Sequence, residues 1–240
     1  MGMRETWEAL SGVGHPEERV LLIAHYDTVP ASPGADDNTS GVAVLLELAR
    51  CLQGAAFDRT IQFVAVNLEE SQTVDGQWVG GLRGSRALAE TARGEGWQLT
   101  GVVVLESVAY GGSDISQKPL TGLPVPMPEK GDFIAVVGNQ ASAALVKEFV
   151  SAASTPSVGL PCLPLVVPGN GEVLRDTRRS DHAPFWDAGF KAIMLTDTCN
   201  FRNPHYHQPT DTLSTLNLDF TTQVCRATGL AVARLAGVSE

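Results

Sequence analysis

A chain of 240 residues with 43% hydrophobic side chains is long enough to close one large α/β domain, residues 1–240, around a substantial core. Its formal net charge of −10 argues against a basic nucleic-acid surface and against docking on anionic lipid, both of which need clustered Lys and Arg. Cys51, Cys162, Cys199 and Cys225 stand far apart with no CxxC pair, so thiolate zinc ligation and a disulfide framework both lack support, and any metal must be held by His and carboxylate. The start of the chain carries Arg4, Glu5 and Glu8 and no apolar run of signal length, and no later run reaches membrane-spanning length, so the expectation is a soluble, cytoplasmic protein.

In chain order, short apolar runs at residues 20–24, 61–66, 102–105, 134–137 and 192–195 predict buried, mostly parallel strands. Between them, residues 41–52, 82–93, 141–153 and 218–235 have apolar positions at helical spacing. Strand and helix alternate, which implies a sheet with helices on both faces. In such sheets ligands gather beyond the carboxyl ends of the strands. Here those positions are rich in ionisable residues. His25 and Asp27 follow the first run, Glu69 and Glu70 the second, and Glu106 the third; Asp37 lies in the loop before the first helix, and His207 in a late loop between Pro204 and Pro209.

Imidazole nitrogen and carboxylate oxygen are the ligands zinc and similar cations take when thiolate is missing. His25, Asp37, Glu70, Glu106 and His207 supply five, which suffices for two metals if one carboxylate bridges. Each piece has a structural alternative. Asp36-Asp37 before a helix start can serve as capping, and a Glu pair at a strand end is commonly a solvated edge. Ser180-Asp181-His182 reads as a capped helix start, with His182 structural or supporting a ligand, while His15 and His205 belong to the surface.

The ordered set His25-Tyr26-Asp27, Pro33 to Gly41, Glu69-Glu70, Gly81-Leu82-Arg83-Gly84-Ser85, Ser180-Asp181-His182 and Tyr206-His207 resembles the M28 metallopeptidases of co-catalytic zinc aminopeptidase type, from about Arg19 to the end of the chain. That resemblance implies a three-layer α/β/α sandwich with a mixed central sheet and two divalent metals, zinc foremost. It makes Asp37 the bridging carboxylate, His25 and Glu106 ligands of one metal, and Glu70 and His207 ligands of the other, with Asp36 only a neighbour. Asp27 would orient His25, and Glu69 would act as general base and acid on a metal-bridging water. The substrate class is a peptide or small amide.

Three departures from the pattern bear on specificity. Glu106 stands where many such aminopeptidases have Asp, which points toward carboxypeptidase or N-acyl amidohydrolase action on carboxylate-bearing substrates. Residues 71–80, with Trp78, intervene before the Gly-Leu-x-Gly-Ser segment, as a lid or as a neutral expansion at the site's mouth. A tyrosine expected shortly before Ser180 is absent; Arg175, Arg178 or Arg179 could supply the charge, bind a substrate carboxylate, or form a solvated loop. A one-zinc cyclotransferase resembling glutaminyl cyclase is the competing reaction class.

Overall fold

The structure is a computed structural model that describes residues 6–119, 122 and 126–238; Arg4 and Glu5 lie outside the described residues. Its strands are β1 (Thr6–Leu10), β2 (His15–His25), β3 (Arg59–Val66), β4 (Gln72–Val74), β5 (Gln77–Val79), β6 (Gln98–Glu106), β7 (Gly112–Ser116), β8 (Lys130–Gly131), β9 (Ile134–Asn139), β10 (Cys162–Val167) and β11 (Ala192–Thr196). The helices are α1 (Gly41–Leu52), α2 (Arg83–Gly94), α3 (Ala143–Ala153), α4 (His182–Asp187) and α5 (Leu218–Ala236).

Seven strands form one sheet in the order β1-β3-β2-β6-β11-β9-β10. The neighbours β3, β2, β6 and β11 all run parallel, whereas β1 pairs antiparallel with β3 and β9 antiparallel with β11, so the sheet is mixed. Side chains alternate across β2: Val20, Leu22 and Ala24 enter a core with α1, α3 and α5, while Leu21 and Ile23 enter a second core with α2 and α4. Both faces of the sheet are covered, which makes a three-layer sandwich and explains why the strand runs are continuously apolar rather than alternating.

The helix expectations agree with the structure to within about a turn. The segment 141–153 opens with a 3₁₀ turn, Gln140–Ser142, where Asn139 Oδ1 accepts from Ser142 N at 2.9 Å. Two sheet strands have no counterpart among the expected runs. β1 is short and lacks a continuous apolar run, and β10 holds Pro164, which an edge strand tolerates because no further neighbour needs its missing N–H. The 71–80 segment is a small hairpin, β4 with β5, on which Trp78 is 74% exposed. No helix among the described residues is long and apolar enough to cross a membrane.

This topology positions the site. Four parallel strands deliver their carboxyl ends to one edge: His25 ends β2, Glu106 ends β6, Glu69 and Glu70 follow β3, and Asp197 follows β11. The rigidity of that edge depends on the cores beneath it. Phe149, 1% exposed on α3, packs in the first of them. Phe149→Ala is expected to cost about 3–5 kcal/mol through lost transfer energy and a residual cavity, visible as a lower urea midpoint at unchanged slope.

Candidate metal centre

The loop before α1 is held by its neighbours rather than by its own helix. Asn38 Nδ2 donates to Leu105 O at 2.8 Å, and Asn38 Oδ1 accepts from Ser107 N at 3.1 Å. Ser40 Oγ donates to Asp36 O at 2.6 Å and accepts from Val108 N at 2.9 Å. Asp211 spans the loop's start, its two carboxylate oxygens accepting from Asp36 N at 2.9 Å and Asp37 N at 3.2 Å. Asp37 thereby has a fixed backbone.

The Glu69-Glu70 segment is fixed from two sides. The Asp27 carboxylate accepts from Glu69 N at 3.2 Å and Glu70 N at 3.1 Å. Opposite, Leu82 N, Arg83 N and Gly84 N donate to Glu69 O, Leu68 O and Asn67 O at 2.8–3.1 Å. A Cβ at Gly81 would collide with Glu69 O and one at Gly84 with Asn67 O, so the glycines allow the two backbones to lie against each other.

Within this frame Asp37 divides its oxygens. Oδ1 lies 3.3 Å from His25 Nε2, and Oδ2 lies 3.1 Å from His207 Nε2. Glu106 Oε2 is 3.4 Å from His25 Nε2, and Glu70 Oε1 is 3.0 Å from His207 Nε2. Two triads of possible ligand atoms result, His25 with Glu69 and Glu106, and Asp37 with Glu70 and His207, each within 4.8 Å. His25 Nδ1 lies 3.0 Å from Asp27 O; a carbonyl only accepts, so Nδ1 carries a proton and Nε2 is the ring atom that faces Asp37 and Glu106 and could ligate a cation.

Burial would push His25 down, yet Glu106, Glu69, Asp27 and Asp37 hold it well above the ordinary imidazole range. His207 is likewise raised to about 9, against its burial, by Asp37 and Glu70. Burial raises Glu69 well above the usual carboxylate value, His25 opposing and Glu106, Asp181 and Glu70 adding. The field strongly stabilises positive charge between these side chains. His25 Nε2, both Asp37 carboxylate oxygens, Glu70 Oε1 and His207 Nε2 are buried with no hydrogen-bond partner. Arg83 Nε, both Asp181 carboxylate oxygens, His182 Nδ1 and Arg202 Nη2 are also buried without a partner, although buried polar atoms in folded proteins are generally paired. Lone-pair atoms of His and carboxylate, orphaned and converging, are the donor set of a zinc-type centre, and the residues present fit that group.

All seven residues singled out from the sequence meet at this edge, with two adjustments. Asp27 touches the His25 ring through its backbone oxygen, its carboxylate lying 3.7 Å away and serving the Glu69-Glu70 amides. Asp36 is more than a neighbour: it is 1% exposed, accepts from Ala109 N at 3.0 Å and Asn203 Nδ2 at 2.7 Å, and hydrogen-bonds the buried Asp197 carboxyl. Burial raises Asp36 to about 6, and raises Asp197 well above the usual carboxylate value with Asp36 adding to it. Asp197 stands apart in sequence from any motif, whereas Asn203 precedes and Asp211 follows His207 by four residues.

The 180–182 motif also differs from a simple capped start. Asp181 occupies the N-cap position of the six-residue α4 without a side-chain cap bond, and burial raises its carboxyl to about 7. Ser180 Oγ instead donates to Glu106 Oε2 at 2.6 Å. His182 is structural: Nε2–H donates to Thr177 O at 2.7 Å and the ring packs edge-on against Trp186. His15 is exposed, whereas His205 is half-buried, bonded to Thr210 Oγ1 at 2.9 Å within the loop that carries His207.

The sequence model of Peptidase family M28 matches residues 8–232. The chain belongs to that family. The uncharacterized protein YfbL of Escherichia coli (strain K12) is 33% identical over 215 residues, 85% of this chain and 63% of the relative. A 58-residue stretch, 24% of this chain and 12% of the relative, is 50% identical to aminopeptidase YwaD of Bacillus subtilis (strain 168). Among solved structures, BSAP, a zinc aminopeptidase from Bacillus subtilis, is 25% identical with a TM-score of 0.70, covering 97% of this chain and 50% of that one. Fimbriiglobus ruber glutaminyl cyclase shares the fold at 20% identity and a TM-score of 0.64, covering 99% of this chain and 76% of the other. This M28 chain therefore spans 63% of the length of its E. coli relative and half that of the Bacillus structure.

Two outcomes are expected from this M28 site. Asp211→Ala removes the acceptor for the Asp36 and Asp37 amides and should weaken zinc binding by about 10–100-fold, as loss of groups that orient ligands does, measured by competition with a chromogenic chelator. His182, pushed down to about 4 by burial, stays neutral in the fold while the unfolded chain takes up its proton below about 6.5. Stability should therefore fall as pH drops from about 6.5 toward 4, by up to about 3 kcal/mol. In His182→Gln, urea titrations across that window should show a shallower acid slope.

Proposed function

We propose that this chain is the catalytic unit of a two-metal exopeptidase that cleaves a peptide or small amide bond; relatives' names favour aminopeptidase action, and carboxypeptidase or N-acyl amidohydrolase action on carboxylate-bearing substrates is the alternative. The observation that carries the reading is the division of Asp37: one oxygen faces His25, the other His207, and all four atoms are buried without a hydrogen-bond partner. One buried carboxylate set between two such clusters is what a co-catalytic pair requires. His25 and Glu106 would hold one ion, Glu70 and His207 the other, and Asp37 both. Two divalent ions there, zinc by family, supply Lewis acidity toward a water and a carbonyl.

Glu69 does the proton work in this reading. Its backbone is pinned by Asp27 and Leu82, and its carboxyl lies within 4.8 Å of the His25 and Glu106 ligand atoms. Its pKa, raised by burial first, suits a group that takes a proton and returns it to the leaving amine. A one-zinc cyclotransferase would leave half of this cage without a task.

Two measurements check the proposal. Elemental analysis of zinc-saturated protein should give close to two ions per chain, falling in Asp37→Ala; saturation at one ion would favour the cyclotransferase. Glu69→Gln should keep the metal content and lower kcat by about 10²–10⁴-fold, and near-normal turnover would remove Glu69 from the mechanism.

A further inference from the structure

Beside Glu106 the site opens into a cleft with apolar walls. Val137, Leu163, Leu165 and Met194 come from β9, β10 and β11, and Met127 and Phe201 from flanking loops. Arg179, Tyr206 and Glu106 line the same cleft. Arg179 is connected to both halves of the cage. The next residue, Ser180, bonds Glu106, and Arg179 Nη2 donates to Tyr206 OH at 3.4 Å, whose ring stacks on His207 at 3.9 Å.

The three loop arginines separate clearly. Arg178 is consumed by structure, its Nη2 donating to both Asp187 oxygens at 2.8 and 2.9 Å and Nη1 to Asn170 O at 2.6 Å. Arg175 does not line the cleft. Arg179 donates only to neutral oxygens, Asn200 Oδ1 at 2.9 Å and Tyr206 OH; the carboxylate nearest it, Asp176 Oδ1, is 3.6 Å away and exposed. Asp176 lines the same cleft and makes only this long, solvent-exposed ion pair with Arg179, so a closer carboxylate at the cleft rim would be the stronger partner of the guanidinium. A guanidinium so placed matches a carboxylate in shape and charge.

We propose that the cleft takes the side chain of an apolar amino-acid residue and that Arg179 binds the free α-carboxylate of that same residue, so that N-acyl amino acids and dipeptides ending in an apolar residue are preferred substrates. The placement of the scissile amide rests on the hydrolase reading above; the recognition of the carboxylate and side chain does not.

Binding to zinc-loaded Glu69→Gln protein tests this independently of turnover, with N-acetyl-L-leucine, N-acetyl-L-leucinamide and N-acetylglycine as calorimetric probes. The acid should bind on the order of ten- to a hundredfold tighter than its amide, as a charged hydrogen-bonded contact allows. Adding Arg179→Met should shrink that gap below about threefold, with Arg179→Lys intermediate, a pattern that loss of a merely structural contact would not produce. N-acetyl-L-leucine should also bind at least about tenfold tighter than N-acetylglycine, from the methylenes it buries, and Leu165→Trp, which fills the cleft, should abolish that difference. An acid–amide gap that is absent, or that survives Arg179→Met because zinc takes the carboxylate directly, overturns the proposal, as does equal affinity for the glycine and leucine acids. Failure of the zinc-loaded parent to hydrolyse any amide would refute the hydrolase reading while leaving the affinity ratios to decide this one.

Discussion

The crowding of acidic groups at one sheet edge governs the rest of the structure. Asp36, Asp37, Glu70, Glu106, Asp181, Asp197 and Asp211 are all buried there, with Asp27 and Glu69 beside them. Like charges at such distances in a low-dielectric setting cannot all stay ionised without compensation. Three devices supply it. Backbone amides are aimed at Asp27, Asp36, Asp197 and Asp211. Burial pushes Asp36 and Asp197 upward, toward the neutral form. The inner cage, where such partners are missing, is left for cations.

That division separates an outer ring from an inner set of candidate ligands. The outer carboxylates connect the loops that carry the ligands: Asp36 joins the 35–40 loop to Ala109 and Asn203, and Asp197 joins the end of β11 to Tyr110 and Cys199. Their work is geometric. His25, Asp37, Glu70 and His207 carry tip atoms without a hydrogen-bond partner, Glu106 accepts from Ser180 Oγ, and the backbones at Asp37 and Glu70 are pinned by Asp211 and Asp27. Preorganisation of this kind is what a centre that stabilises developing charge requires.

The glycines near the paired glutamates show how a local sequence rule becomes a site. Gly81 and Gly84 let the start of α2 lie directly against residues 67–70, and three amide-to-carbonyl bonds form across the contact. The hairpin of residues 72–79 leaves and re-enters the chain at this clamp, where Gly81 N donates to Ser71 Oγ at 3.0 Å. An expansion can be inserted there because both of its ends are anchored in the same place, and the register of Glu69 and Glu70 survives it.

Sequence by itself determined the layer architecture and the inner cage. Continuous apolar runs alternating with helical spacing specify a sheet covered on both faces, and His, Asp and Glu at the run ends are legible because strand and residue type are both local properties. The edge strands were not legible: β1 lacks an apolar run and β10 carries Pro164, and each is recruited by a neighbour rather than by its own composition. Only the tertiary structure decided the outer carboxylates and the fate of the arginines. Asp36, Asp197 and Asp211 matter through hydrogen bonds spanning scores of residues, and Arg178 differs from Arg179 only in which carboxylate lies within reach. Partner distance and burial are properties of the folded chain, and no local pattern encodes them.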